Sequence, residues 1–274
     1  FRTLLPQVII SGIPSVSRAI INDTGAGRYE LVVEGNDLQA VMGTDGVKGH
    51  STSSNHVMEV EIADKGALHH VRAQGRDHER RAVTNLFARL GRESVFKCFT
   101  LTANGVLTRN ECVVTLTGDD AVAHVAGAAM GDGDFHQDDT VFITHDAERC
   151  ESRQVFKKVL SNGAVGVFQG KILVKPGAQK TDGYQISQSM LLDGDSEFLV
   201  KPELEIYADD VACAQGATVG ELDATQLFYL TSRGISEDIA RGMLVEAFLI
   251  DAIETIENEL LAGLLRPVAE AWMA

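Results

Sequence analysis

The sequence predicts a mainly β solenoid followed by a helical C-terminal segment, and three observations carry that prediction. From about residue 55 to 220, short β-rich runs alternate with tight-turn signals, the pattern of an all-β sandwich, barrel or solenoid. Small residues are dense inside the runs, as in Ala121–Met130 (AVAHVAGAAM), which suits close stacking of one coil on the next. Hydrophobic alternation is imperfect, as expected when each coil buries one side beneath its neighbours. These last two features favour the solenoid.

Residues 1–54 are mixed and read as an irregular N-terminal segment. Arg28–Gly35 (RYELVVEG) is its one clear strand, with a Gly stop. The chain opens at Phe1 rather than Met, so this segment is expected to be incomplete. The β core, 55–220, holds runs at His56–Ile62, Leu68–Gln74, Val95–Thr102, Glu111–Thr117, Thr140–Thr144, Ala164–Val174, Tyr184–Leu192 and Glu197–Tyr207. Turns are marked by Asp64-Lys65-Gly66, Asn104-Gly105, Gly118-Asp119-Asp120, Gly131–Asp134, Asn162-Gly163, Pro176-Gly177 and Gly194-Asp195. Each supplies a positive or fixed φ where the chain changes direction.

The segment 221–274 is helical. Asp223-x-x-Gln226 opens a short helix over Ala224–Ser232 that Gly234 ends. Ser236 caps a longer one, with Glu237 and Asp238 in its first turn, where negative charge favours the helix dipole. Its stripe, Ile239, Met243, Leu244, Phe248, Ala252, Ile253, Ile256, Leu260 and Leu264, follows helical spacing. Packing on the β body and docking a partner account for such a stripe equally well.

Composition narrows the function. With 24 basic against 39 acidic residues the formal charge is −15, which disfavours both a phosphate-backbone binder and a polybasic membrane anchor. Neither nucleic acid nor membrane is therefore expected as a partner, and no apolar run approaches the ~20 residues of a membrane span. Aromatic residues make up 6%, so stacking platforms for sugars are scarce. The four cysteines, 98, 112, 150 and 213, form no C-x-x-C or zinc-finger spacing and read as reduced thiols of a cytoplasmic protein.

Several constellations carry less than they suggest. Gly166-Val-Phe-Gln-Gly170-Lys171-Ile172 mimics a phosphate loop, but it is one residue short between the glycines and has Ile where a Mg²⁺-binding Ser or Thr belongs. No nucleotide is expected on this chain. His69 and His70 are adjacent, so on a strand they face opposite sides. His136, Asp138, Asp139, His145 and Cys150 form a denser group whose spacing fits no zinc motif. Asp138, Asp139 and Arg153 are the set a polysaccharide-active β-helix enzyme would need, although the net charge and aromatic poverty disfavour an anionic sugar chain.

Cys213 follows Asp209 and Asp210. Nearby carboxylates raise a thiol's pKa and make it a poor nucleophile. A metal reverses that logic, because a bound thiol loses its proton and the acids stabilise the cation. Sulfur beside hard oxygen donors suits iron or an Fe–S species, although a lone Cys is more often a packing residue.

Four stretches carry a family resemblance: His145-x4-Cys150-Glu-Ser152-Arg153-Gln154-Val-Phe-Lys157, Gly166–Ile172, Gly177–Gln185, and Lys201-Pro-Glu-Leu-Glu-Ile-Tyr-Ala-Asp-Asp-Val-Ala-Cys213 running on through Gly216–Ile235. From about 55 to 255 the chain resembles the SufB/SufD family of iron–sulfur cluster assembly proteins, and its SufD branch more than SufB. The resemblance implies a right-handed parallel β-helix core with a C-terminal helical region. It also implies a non-catalytic scaffold subunit that pairs with a SufB-like subunit and docks a SufC-like ATPase through its C-terminal helices. A homodimer of the isolated chain and a purely structural dimeric subunit without a metal role are the alternatives.

On that resemblance Cys213 is the expected contact for iron or a transient Fe–S cluster shared with the SufB-like subunit, with Asp209 and Asp210 as further metal candidates. Leu227, Phe228, Tyr229 and Phe248 are the expected partner-binding residues. The chain departs from the family at Gln215, where SufD members carry a His; an amide binds iron poorly and does not titrate. The passage 47–51 reads like two family stretches brought together at Gly49–His50.

Overall fold

A computed structural model describes the backbone of residues 8–11, 18–23, 28–34, 38–44, 53–74, 79–256 and 259–273, with side chains from Val57 onward except 259–261, 264, 271 and 273. The opening residues 1–6, the 47–51 juncture and the side chains of Leu260 and Leu264 lie outside these.

The chain winds as a parallel β-solenoid, alternating between two eight-stranded sheets. The first runs in the order β1 (Val8–Ser11), β4 (Leu38–Thr44), β6 (Ala67–Gln74), β8 (Val95–Ala103), β10 (Val122–Asp132), β12 (Glu151–Ser161), β14 (Thr181–Leu191), β16 (Val211–Glu221). The second runs β15 (Glu197–Ile206), β13 (Val165–Val174), β11 (His136–His145), β9 (Leu107–Leu116), β7 (Arg81–Leu90), β5 (Ser53–Ile62), β3 (Arg28–Glu34), β2 (Arg18–Asp23). All neighbours are parallel except β1 with β4 and β2 with β3, the antiparallel pairs at the N-terminal end of the stack. The expected solenoid and helical tail are both present.

One coil brings Arg81 beside Leu107 and another brings Val165 beside Glu197, so coil length varies too much to leave a crisp sequence repeat. What repeats is a corner conformation. Lys65, Glu93, Asp120, Arg149 and Lys180 all adopt left-handed backbone with φ between 53° and 61°. Each donates its amide to a carbonyl one coil on: Lys65 to Arg92, Glu93 to Asp119, Asp120 to Glu148, Arg149 to Gln179 and Lys180 to Asp210. Glycine is not needed here because the hydrogen bond offsets the roughly 1–2 kcal/mol cost of left-handed backbone. At one neighbouring position it is needed: a Cβ on Gly118 would sit on the Arg92 backbone.

Inside the coil the alternation is regular, as in β13, where every second side chain is buried. The interior core runs from Met58, Val60 and Ile62 through Leu90, Phe96 and Leu116 to Phe156, Phe168 and Phe198. Alternation fails in β10 for a reason other than coil stacking. Its outward Ala126, Ala128 and Met130 are covered by helices, whose Val245, Leu249, Leu265 and Ala269 share one buried cluster with them.

Those covering side chains come from α2 and α3, two of the three C-terminal helices. α1 (Ala224–Thr231) starts at Asp223, whose carboxylate accepts the amides of Thr225 (2.8 Å) and Gln226 (3.2 Å). α2 (Glu237–Ile253) has Ser236 at its N-cap position without a side-chain cap bond, and Glu237 and Asp238 in its first turn. The single long helix that the stripe suggests is divided: α2 stops at Glu254, Thr255 turns its hydroxyl back to Ala252 O (2.7 Å), and α3 (Glu259–Met273) follows. The break lets both helices lie on the first sheet, where Ala240, Val245, Leu249, Ala252 and Ile253 of α2 are buried. Trp272 closes the arrangement with a 2.9 Å bond from Nε1 to Asn104 Oδ1.

Strands β1, β2 and β4 near the N-terminus and β7, β12 and β16 in the core have no counterpart among the sequence-derived runs. In β12 the obstacle is Lys157-Lys158, charges that normally mark a surface. Both are satisfied instead: Lys158 is enclosed inside the coil by Asp139 Oδ2 (3.0 Å), Val167 O (2.7 Å) and Gln137, and Lys157 reaches Asp251 of α2.

Candidate functional site

The stack is open at its C-terminal end. β16 has β14 on one side and, among the described residues, no strand on the other; β15 ends the second sheet in the same way. Unpaired strand edges invite a further strand. The end is also apolar in part, with Leu199 at 54%, Tyr207 at 58% and Val219 at 54% exposure.

Cys213 lies on this last strand. It alternates with exposed Ala212 and Ala214, so its side chain turns inward, where it packs with Leu204 and Val211 against Ile172, Val174, Ala178 and Ala208. Gly183 is its partner in register on β14, and a Cβ there would stand 3.1 Å from the sulfur. The absent side chain makes room for the thiol. Partial burial pushes the thiol pKa up and Asp182 adds to that, while the Gly183 amide works the other way. The free thiol is thus a weak nucleophile at neutral pH.

Asp209 and Asp210 sit at the final corner, both exposed. Asp210 fills the acceptor position of the corner ladder: its carbonyl takes the Lys180 amide, and its own amide donates to Gln179 Oε1 at 3.0 Å. The carboxylate that bears on Cys213 is Asp182, which Arg153 holds with bonds of 3.0 and 2.8 Å. Nothing in the sequence marks Asp182 and Gly183, because the register that places them beside 212 and 213 exists only in the fold.

The second candidate surface is helical. Phe228 is 71% exposed, and Tyr229 is also exposed, with the Arg233 guanidinium 4.2 Å from its ring centroid. Ile239 and Met243 on α2 are exposed as well. Leu227 is half-buried, and Phe248 packs toward the first sheet with Lys157 Nζ 4.7 Å from its ring centre.

The remaining candidates are separated. Asp138 and Asp139 are buried on β11 and already engaged, Asp138 with Arg109 (3.5 Å) and Asp139 with Lys158 and Asn110. Arg153 is on the other sheet, so these three do not line one groove. His145 is enclosed against Ser152 Oγ at 2.8 Å. Among the described residues no three His, Cys, Asp or Glu side chains are grouped to hold a metal ion. The glycines of the phosphate-loop mimic serve packing: a Cβ on Gly170 would meet Gln185 Oε1 at 2.5 Å.

The model of the SUF system FeS cluster assembly SufBD core domain matches residues 25–248. The chain belongs to the SufBD family. The iron–sulfur cluster assembly protein SufD of Escherichia coli is 37% identical over 155 residues, which are 57% of this chain and 37% of that protein. A SufBD family protein of Synechocystis is 29% identical over 217 residues (78% of this chain, 47% of the relative). Protein ABCI7, chloroplastic, of Arabidopsis thaliana is 30% identical over 234 residues (84% and 49%). The matches thus cover half of these relatives' length or less.

In this SufBD chain Gln215 has a structural context. It stands in register with Gln185, and Gln185 with Gln154. The two inner amides are fully buried without a hydrogen-bond partner in the protein. Gln215 extends that amide column to the open end. No helix among the described residues is long and apolar enough to cross a membrane.

Proposed function

We propose that this chain is a non-catalytic scaffold subunit of a SufBCD-type iron–sulfur cluster assembly complex in the cytoplasm. Its open end pairs with a SufB-like subunit by strand addition along β16, a mode in which main-chain hydrogen bonds supply affinity and end-facing side chains supply specificity. The observation that carries this reading is Cys213: a half-buried thiol on the last strand of its sheet, which has no neighbour on its outer side among the described residues.

Iron and sulfide are cargo in this scheme. Cys213 supplies one soft donor, Asp209 and Asp210 are weaker candidates at the same corner, and the SufB-like subunit supplies the remaining ligands because the Gln215 amide is a poor one. Iron binding lowers the Cys213 pKa that burial raises, so the thiol is engaged only when the metal arrives. Phe228 and Tyr229 lead the contact with a SufC-like ATPase, with Leu227 and Phe248 behind them.

The test is anaerobic co-expression with SufB-like and SufC-like subunits, comparing wild type with Cys213→Ala. The expected result is an intact complex whose iron and sulfide content drops in the variant. Unchanged iron and sulfide support the purely structural subunit instead.

A further inference from the structure

Away from the open end, Cys98 on β8 and Cys112 on β9 are both buried between the two sheets, in one core cluster and lining one small cavity. His70 Nδ1 lies 3.4 Å from Cys98 Sγ. The other nitrogen of that ring, Nε2, has no hydrogen-bond partner although the residue is 1% exposed. Arg72 is buried beside them, donating to Thr84 Oγ1 at 2.5 Å, and its charge acts on both sulfurs. The Cys112 S–H, then His70 and Arg72, hold the Cys98 thiol well below the usual range against the effect of burial, while Cys112 is pushed up.

Two spaces border this pair. A cavity of about 20 Å³, enough for one water-sized species, is lined by both cysteines, Arg72, Asn110 and Asp139. A cleft of about 480 Å³ between the first sheet and the Glu254–Ile256 turn is lined in part by Cys98 and His70.

We propose that Cys98 and Cys112 form a two-coordinate site for one soft monovalent cation, Cu(I), with His70 as a positioning residue. Paired thiolates select soft ions. Zinc takes four ligands and Fe–S clusters four cysteines, whereas the described residues hold no group of three such side chains placed to share a metal ion. Binding forms two Cu–S bonds, releases to solvent whatever protons the two sulfurs carry and leaves copper as Cu(I). The bis-thiolate complex carries one negative charge, which Arg72 neutralises where an unpaired charge would be costly.

The experiment is an anaerobic titration of the whole chain with Cu(I) against bicinchoninate. One Cu(I) per chain is expected to be retained, with X-ray absorption on the wild-type protein reporting two sulfur neighbours. Cys98→Ser and Cys112→Ser lose retention, Cys150→Ser keeps it, and His70→Asn weakens it about tenfold. No retention by the wild type, retention by the Cys98→Ser/Cys112→Ser double variant, or a shell of three or four ligands overturns the proposal. The wild-type absorption result does not depend on whether a variant folds.

Discussion

His145 is fully buried between β11 and β12, and burial pulls its pKa down to about 4 despite the opposing pull of Asp182. The unfolded chain, with a His pKa near 6.5, takes up a proton first as pH falls. The contribution of His145 to stability is therefore complete above about pH 6.5 and declines between 6.5 and 4, by about 3 kcal/mol in total. Urea midpoints should fall more steeply from pH 7 to 5 in wild type than in His145→Gln; equal slopes would remove His145 as the cause. Gly118 makes a second prediction. Its Cβ would have to displace the backbone of Gly91 and Arg92, so Gly118→Ala should cost about 3 kcal/mol by denaturant unfolding. Residue chemistry was partly legible: adjacency alone put His69 and His70 on opposite faces, whereas Asp182 and Gly183 could not be named, since about thirty positions separate each from its partner in register.

Among the elements, the C-terminal helices divide their apolar residues between two tasks. Leu249 is fully buried against the first sheet, and Leu249→Ala should cost about 3 kcal/mol by the same unfolding measurement. Phe228 and Tyr229 bury little in this chain, so Phe228→Ala with Tyr229→Ala should move stability by less than about 0.5 kcal/mol while weakening capture of a SufC-like ATPase in a pull-down. Undiminished capture would assign docking elsewhere. The helical stripe could be read from spacing, but its division at Glu254 could not, because the break serves the surface beneath it. Strand β12 was illegible for a related reason: its two lysines look solvent-facing until Asp139 and Asp251 arrive from other elements.

At the scale of the molecule, the solenoid was legible through its turns, several of which fall where the sequence marks them, at Lys65, Asn104-Gly105, Asp120, Gly133 and Asn162-Gly163. Glu93, Arg149 and Lys180 carry no such mark, since the backbone hydrogen bond to the next coil rather than the residue type selects their conformation. The open end follows from topology: the last two strands lack neighbours among the described residues, and Leu199 and Val219 face solvent there. The native mass of the chain co-expressed with a SufB-like subunit tests this most directly, with Leu199→Glu/Val219→Glu as the comparison. The scaffold reading predicts a heterodimer with wild type, and with the variant a folded chain of unchanged melting temperature that no longer pairs. A heterodimer that survives the two charges would contradict it.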